Sequence, residues 1–243
     1  MLRVRFPHQE TGGPDEEAFE VTFDDGRVER FTMHDYGRVY AVPGLYEEVV
    51  QRMLGCATPD RVAALLAAAA RRIGRDPGDV RVVDLGAGNG VSGEALAAAG
   101  LRPVVAIDTE PQARPATLRD RPGLYELVLT GDAATLTGAE RDAVRALRPS
   151  ALTLVGALGN DHVGLAGLSA AAGLLGEDAL VAYAYPEYED DAAILAALRA
   201  LGEVAELERD RYVHRRTAAG GERVWEAAAA RLIRRTAASS PST

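Results

Sequence analysis

The chain has 243 residues, of which 47% are hydrophobic and 26% are charged. This length and composition predict one α/β domain with additions, large enough to bury a core. The net charge of −9 argues against general affinity for nucleic acid or for an anionic membrane. All basic side chains are arginines, so a P-loop lysine and a Schiff-base lysine are excluded. The single cysteine, Cys56, excludes an internal disulfide and a cysteine-based zinc site.

The sequence carries no targeting or metal-binding pattern. Its first residues, MLRVRFPHQE, lack the apolar region of a signal peptide, and no apolar run approaches the length of a membrane span. We therefore expect a cytoplasmic protein without a membrane partner. The four histidines are scattered and form no H-E-x-x-H pattern, so no metal is predicted.

The N-terminal 77 residues are predicted to form a cap of a hairpin and helices. Phe19, Val21 and Phe23 alternate with polar residues before the turn Asp24-Asp25-Gly26, which is typical of a β-hairpin. The stretch HDYGRVYAVPGLYE follows and contains Tyr36, Tyr40 and Tyr46. Two interpretations are open: the rings cover a bound ligand, or they pack the hairpin onto the core. Two helices follow, over 47–54 and 59–73, the second capped by Thr58 or Asp60.

A strand, a glycine turn and a helix then follow one another in VRVVDLGAGNGVSGEALAAAG. Residues 80–85 are typical of a strand buried on both faces, and 91–99 of a helix. Dinucleotide-binding turns have the spacing G-x-G-x-x-G, whereas here Gly86, Gly88 and Gly90 give G-x-G-x-G. Asp84, just before the first glycine, would repel a pyrophosphate and suits a cationic ligand.

Acidic residues follow the next two predicted strands. Asp108 ends PVVAI about 20 residues past the glycine turn, where a carboxylate lies beside a ribose. Asp132 follows YELVL. The fourth strand, 150–156, leads to a loop with Asn160, Asp161 and His162. These residues either contact a substrate at the strand ends or simply form the turn and cap the next helix.

The remainder predicts a strand over 180–185, a helix over 190–201 and an antiparallel pair over 204–213 and 222–234. Residues 227–230 are alanines, which could favour a helix instead. The tail, residues 236–243, is expected to be disordered.

VVDLGAGNG and VVAID resemble the class I S-adenosylmethionine (SAM)-dependent methyltransferases, over residues 78–235. More narrowly, HDYGRVYAVPGLYEEVV followed by VVDLGAGNGVSGEAL is similar to the Williams-Beuren-region-type methyltransferase-like proteins and their bacterial relatives. The resemblance implies an α/β fold: a seven-stranded Rossmann-like methyltransferase sheet with helices on both faces, extended here by the N-terminal hairpin and helices. The implied cofactor is S-adenosyl-L-methionine.

The resemblance also implies roles for individual residues. Asp84 would lie near the cationic end of the cofactor, Asp108 would hold the ribose, and Asp132 would accept the adenine amine. Thr109 departs from the family, which often has a larger apolar residue there, so Ala133 or Leu136 would pack on the adenine. The predicted cofactor-binding residues are Asp84, Gly86, Ala87, Gly88, Gly90, Asp108, Thr109, Asp132, Ala133, Gly156, Tyr40 and Tyr46.

The expected reaction is transfer of a methyl group to an O or N nucleophile of a small molecule. Such a transfer needs alignment, and a general base only when the acceptor is protonated. His162 is the first candidate for that base and Asp161 the second. The N/D-P-P-Y/F signature of enzymes that methylate DNA or protein glutamine is absent from the fourth-strand loop. The alternatives are a non-catalytic SAM-binding protein and, less favoured, an NAD-dependent oxidoreductase.

Overall fold

The structure, a computed structural model, describes residues 3–7, 17–156 and 163–235. A small antiparallel sheet lies at the N-terminus, in the order β1 (Arg3–Arg5), β2 (Ala18–Thr22) and β3 (Val28–Thr32). Its buried face carries Phe19, which stacks on Phe31 with ring centroids 5.5 Å apart. The predicted hairpin is confirmed as β2 and β3. Strand β1, which is only three residues long, was not predicted.

A second, seven-stranded sheet forms the centre of the molecule. Its order is β6-β5-β4-β7-β8-β10-β9. The first five strands run parallel, and β10 is antiparallel to both of its neighbours. The strands are β4 (Arg81–Leu85), β5 (Arg102–Asp108), β6 (Leu127–Thr130), β7 (Ala151–Leu154), β8 (Asp178–Pro186), β9 (Gly202–Arg216) and β10 (Glu222–Arg234). This is the Rossmann-like methyltransferase arrangement, and it confirms both the predicted fold and its antiparallel end.

Helices cover both faces of this sheet. Val62 and Leu66 of one helix and Leu96 of another are buried on one face, while Leu168 and Leu198 are buried on the other. Parallel strands must be covered in this way because both of their faces are apolar. The helices are α1 (Tyr36–Ala41), α2 (Thr58–Arg72), α3 (Val91–Ala98), α4 (Ala113–Asp120), α5 (Gly138–Ala146), α6 (Leu165–Ala172) and α7 (Ala192–Leu201), with a π-helical segment over Glu47–Met53.

The start of α2 differs from the prediction. Neither Thr58 nor Asp60 caps it, since the N-cap is Ala57 and no side chain makes a capping hydrogen bond. The Thr58 hydroxyl instead contacts His214 Nδ1 at 2.5 Å and accepts a hydrogen bond from the Tyr212 hydroxyl at 2.9 Å. The Thr58 hydroxyl, which the local pattern predicted to cap α2, therefore makes a tertiary contact with β9 instead.

No single helix within the described residues has the length and apolar character needed to cross a membrane. The segment Glu47–Met53 and α2 pass such a test only as a pair, across a bend of 72°. The predicted tail, residues 236–243, lies outside the described residues.

A buried ion pair ties the small sheet to the large one. Arg215 of β9 donates from Nη2 to Glu17 Oε2 at 2.5 Å, and the two side chains are only 9% and 6% exposed. The Ala218 N–H donates to Glu17 Oε1 at 2.9 Å. Burial alone would raise the pKa of Glu17, but the hydrogen bonds and the charges of Arg215 and Arg223 outweigh it, and the pKa is lowered.

We expect Glu17→Ala to lower the free energy of unfolding by about 3–5 kcal/mol, because it leaves Arg215 buried without its partner. Urea unfolding at neutral pH measures the loss. The control, Glu20→Ala, removes a partner of the exposed Arg5 and should cost no more than about 1 kcal/mol. Equal effects of the two variants would contradict the assignment.

The Glu17–Arg215 pair also makes the stability of the protein depend on pH. The folded-state pKa of Glu17 lies below its ordinary value of 4.5. Its stabilising contribution is therefore complete above that value and is lost as the pH falls through the folded-state pKa. The difference in stability between the wild type and Glu17→Ala should accordingly shrink in acid, and a constant difference would contradict this.

Candidate functional site

The turn after β4 is built from glycines in a left-handed conformation. Gly86, Gly88 and Gly90 have φ values of 77°, 55° and 90°, which residues with a Cβ rarely adopt. The Gly86 N–H donates to the Ile107 carbonyl of β5 at 2.8 Å. A Cβ at Gly88 would also collide with the Tyr40 hydroxyl. The glycine spacing thus serves both the backbone conformation and a close approach by a protein side chain.

Asp84 lies beneath this turn, fully buried. It accepts hydrogen bonds from Ser92 Oγ at 2.5 Å, the Tyr125 hydroxyl at 2.6 Å and Thr153 Oγ1 at 3.1 Å. Burial raises the pKa of Asp84, while the three hydroxyl donors oppose that rise. This position supports a role in holding the turn. The predicted contact of Asp84 with a cationic ligand stays a prediction.

Asp108 fixes the same turn from the end of β5. Its Oδ2 accepts the Gly88 N–H at 2.7 Å, and its Oδ1 accepts the Glu110 N–H at 2.8 Å. The side chain is half-buried and borders a cavity. Both oxygens of an ionised carboxylate are acceptors, and each can accept more than one donor.

That first cavity, of about 220 Å³, opens at the carboxyl ends of the parallel strands, where ligands bind in open α/β sheets. Among its walls are Asp132, whose Oδ1 accepts the Ala134 N–H at 2.8 Å, and the acids Asp108 and Glu110. The predicted cofactor-binding residues that border it are Tyr40, Tyr46, Gly86, Asp108, Thr109, Asp132, Ala133 and Gly156.

Other predicted residues lie elsewhere. Asp84, Ala87, Gly88 and Gly90 are not among the described residues that line this cavity. Leu136, suggested as an adenine contact, is buried in the core instead. The two candidate bases, Asp161 and His162, lie outside the described residues, so their roles stay predictions.

Several lining residues were not predicted from the sequence. Leu85 and Ile107 are the last apolar residues of β4 and β5, and Gly131 and Val155 directly follow β6 and β7, so a rule placing ligands at strand ends could have found all four. No comparable local signal marks Val163, which tertiary packing brings to the cavity. The lining residues that were not predicted are Leu85, Ile107, Glu110, Gly131, Val155 and Val163.

Tyr36, Tyr40 and Tyr46 line the first cavity and also pack the N-terminal cap onto the core. The ring centroids of Tyr36 and Tyr40 are 5.9 Å apart, and those of Tyr40 and Tyr46 are 5.4 Å apart. They pack on Ala113 and Ala116 of α4. Burial raises the pKa of Tyr40 and that of Tyr46, so both hydroxyls stay neutral. The two interpretations left open by the sequence are therefore compatible, since these rings both border the cavity and pack on the core.

A second cavity, of about 310 Å³, adjoins the first. The two share Tyr36, Tyr46, Val155 and Gly156 as lining residues. The far side of the second cavity comes from the β9–β10 hairpin, including Trp225. The arrangement can place two small ligands side by side, one at the strand ends and one under the cap.

Comparison with known families and curated proteins gives no match. Among solved structures, the chain is similar to a Burkholderia thailandensis 1,6-didemethyltoxoflavin-N1-methyltransferase with bound 1,6-didemethyltoxoflavin and S-adenosylhomocysteine. The identity is 18%, the alignment covers 92% of this chain and 99% of that one, and the TM-score is 0.49.

Two further similar structures are M. jannaschii TYW2 in complex with AdoMet and a TehB-like SAM-dependent methyltransferase from Corynebacterium glutamicum. The first is 16% identical, covers 70% of this chain and 77% of that one, and has a TM-score of 0.44. The second is 17% identical, covers 71% and 86%, and has a TM-score of 0.45. At such identity the likeness concerns the fold alone, and the fold assignment rests on this chain's own strand order. The narrower Williams-Beuren-type resemblance stays a prediction.

The hydrogen bonds to Asp84 can be tested by removing one hydroxyl. We expect Tyr125→Phe to lower the free energy of unfolding by about 1–3 kcal/mol, because a buried carboxylate loses a donor. Urea unfolding measures the change. The same substitution at Tyr188, which is 73% exposed, should change it by less than about 0.5 kcal/mol. An unchanged free energy of unfolding in Tyr125→Phe would contradict the structural role assigned to Asp84.

Proposed function

We propose that the chain is a SAM-dependent methyltransferase whose first cavity holds the cofactor. The observation that carries the proposal is the charge of this cavity. Its described lining includes three carboxylates, those of Asp108, Glu110 and Asp132, and no basic side chain. A chain with 27 basic residues thus keeps all of them off the described walls of this cavity. Such a lining suits a cationic ligand and disfavours a pyrophosphate, which argues against the NAD-dependent alternative.

The residues present fit the parts of SAM. The Asp108 carboxylate would accept the ribose hydroxyls while keeping its bonds to the turn. Asp132, at the end of β6, would accept the exocyclic amine of adenine. Ala133 and Thr109 would border the base, since both line the cavity. The acidic walls would favour the positively charged methionine end of the ligand.

Bound SAM supplies a methyl group already activated on a sulfonium, so the protein mainly has to align the acceptor and exclude water. The acceptor would approach from the second cavity, across the boundary formed by Tyr36, Tyr46 and Gly156. A general base is needed only for a protonated nucleophile, and we assign that role to His162 with Asp161 as the alternative.

We take the acceptor to be a small molecule that reacts through O or N. The cavity volume of about 310 Å³ is in the range of small-molecule sites, and the net charge of −9 disfavours nucleic acid. The adjoining second cavity also favours catalysis over a non-catalytic SAM-binding role, which would need only the first. The exclusion of nucleic-acid partners and the cytoplasmic location stay predictions.

Calorimetric titration tests the cofactor site. The wild type should bind SAM and S-adenosylhomocysteine and should not bind NAD. Asp108→Asn should weaken S-adenosylhomocysteine binding about 10- to 100-fold, because bonds to a charged group contribute about 1.5–3 kcal/mol.

The matched control is Asp142→Asn on α5, whose side chain is 79% exposed and which should bind like the wild type. Thermal unfolding of both variants shows whether weaker binding reflects a damaged turn. Wild-type affinity in a folded Asp108→Asn variant would refute the ribose assignment. Binding of NAD in place of SAM would refute the proposed function.

A further inference from the structure

The second cavity has an aromatic wall. Trp225, the chain's only tryptophan, is half-buried and borders the cavity. Its ring stacks on His214, with centroids 4.0 Å apart and planes 16° apart. Burial and the charges of Arg215 and Arg223 lower the pKa of His214 to about 3, so this imidazole is neutral. Both rings line the cavity, so the stack presents an uncharged aromatic surface against which a planar ligand can pack.

The same wall has a cationic side chain with one unsatisfied N–H group. Arg223 Nε is buried and has no hydrogen-bond partner among the described residues. The nearest carboxylate, Glu17, lies 3.6 Å from Arg223 Nη2 but already accepts from Arg215 at 2.5 Å. Among the described residues, one carboxylate thus lies between two guanidinium groups. A buried N–H without a partner is costly, and an anionic ligand would supply the acceptor.

Carboxylates also line this cavity, but they lie at its solvent-exposed rim. Glu187, Glu189 and Glu222 are all exposed, and Glu187 pairs with Arg211. Exposed charges are screened by solvent, whereas buried ones act at short range with little screening. The cationic side chains Arg215 and Arg223 are therefore less exposed than the carboxylates of this cavity.

We propose that the second cavity binds the methyl acceptor, and that the acceptor is a small planar molecule with an anionic group. The ring lies along Trp225, and the anionic group is bound by Arg223. That the ligand is a methyl acceptor rests on the proposed function, whereas its planar shape and its charge rest on this cavity alone.

The bonds and electron pairs of the methyl transfer balance. A lone pair on the acceptor O or N forms the bond to the methyl carbon, and the electron pair of the S–CH₃ bond goes to sulfur. S-adenosylhomocysteine is left, and any proton on the nucleophile passes to a base or to water.

The charge of the cavity can be measured before any acceptor is known. Because Trp225 is the only tryptophan, its fluorescence reports this cavity alone. With each quenching constant divided by that of free N-acetyltryptophanamide for the same ion, iodide should quench Trp225 at least about twofold better than caesium, although the net charge of −9 favours the cation. Arg223→Gln should abolish or reverse this preference.

The control is Arg145→Gln, which removes the same charge from α5, outside the cavity lining, and should leave the preference unchanged. Stronger quenching by caesium in the wild type would overturn the proposal. This wild-type comparison needs no variant, so it decides even if Arg223→Gln fails to fold.

Ligands that differ only in charge test the acceptor class. The probes are 4-hydroxybenzoate, 4-hydroxybenzyl alcohol and 4-hydroxybenzylamine, titrated with S-adenosylhomocysteine present and followed by calorimetry and by Trp225 fluorescence. The benzoate should bind at least about tenfold more tightly than the other two, a difference of about 1.4 kcal/mol. Arg223→Gln should remove this advantage and leave S-adenosylhomocysteine binding unchanged.

Tighter binding of the alcohol or the amine, or no binding of any of the three, would overturn the proposal. Benzoate binding that depends on Arg223 in a protein that binds neither SAM nor S-adenosylhomocysteine would refute the proposed function while supporting the chemistry assigned to this cavity. The proposed function and the ligand class proposed for the second cavity can therefore be refuted independently.

Discussion

The glycine turn after β4 is held between two carboxylates, and the site depends on this arrangement. Glycines have no side chains with which to fix a conformation, so a turn of left-handed glycines must be fixed by its surroundings. Asp84 joins α3 and β7 beneath the turn through hydroxyl groups. Asp108 binds the Gly88 N–H from the adjacent strand. Because β4 and β5 are parallel neighbours, their carboxyl ends bring both acids to the same turn.

The two cavities differ in the charged groups on their walls, and this matters for the proposed reaction. The described lining of the first has acids and no arginine, whereas the second has Arg215 and Arg223 on its wall and glutamates at its exposed rim. In water a sulfonium and an anionic acceptor would each be strongly solvated, and both would have to lose solvent to react. Charged groups fixed in advance on the protein replace that solvent without reorganising during the transfer. A cationic donor and an anionic acceptor, held on either side of Tyr46 and Gly156, would also attract each other across the shared boundary.

The features that the sequence predicted are those with local signals. The buried strands, the glycine turn and the acids at the strand ends all follow from short patterns, and the structure places Asp108 and Asp132 on one cavity. The features that it missed come from contacts between distant segments. The β9–β10 pair was predicted, but the second cavity exists because this hairpin meets the cap, where His214 contacts Thr58 and Arg215 pairs with Glu17. Residues 227–230 show the same limit: alanine favours helices, yet these four are buried in β10, where tertiary packing outweighs propensity.

The anchor of the cap is also a wall of the proposed acceptor site. Glu17, just before β2, pairs most closely with Arg215, and it is the carboxylate that the described residues place nearest to Arg223. Without that carboxylate both guanidinium groups would lose this partner, and for Arg215, which is buried, the loss is unfavourable for folding. The charges of Glu17, Arg215 and Arg223 therefore contribute both to how firmly the cap is attached and to the charge that the adjoining cavity presents to a ligand.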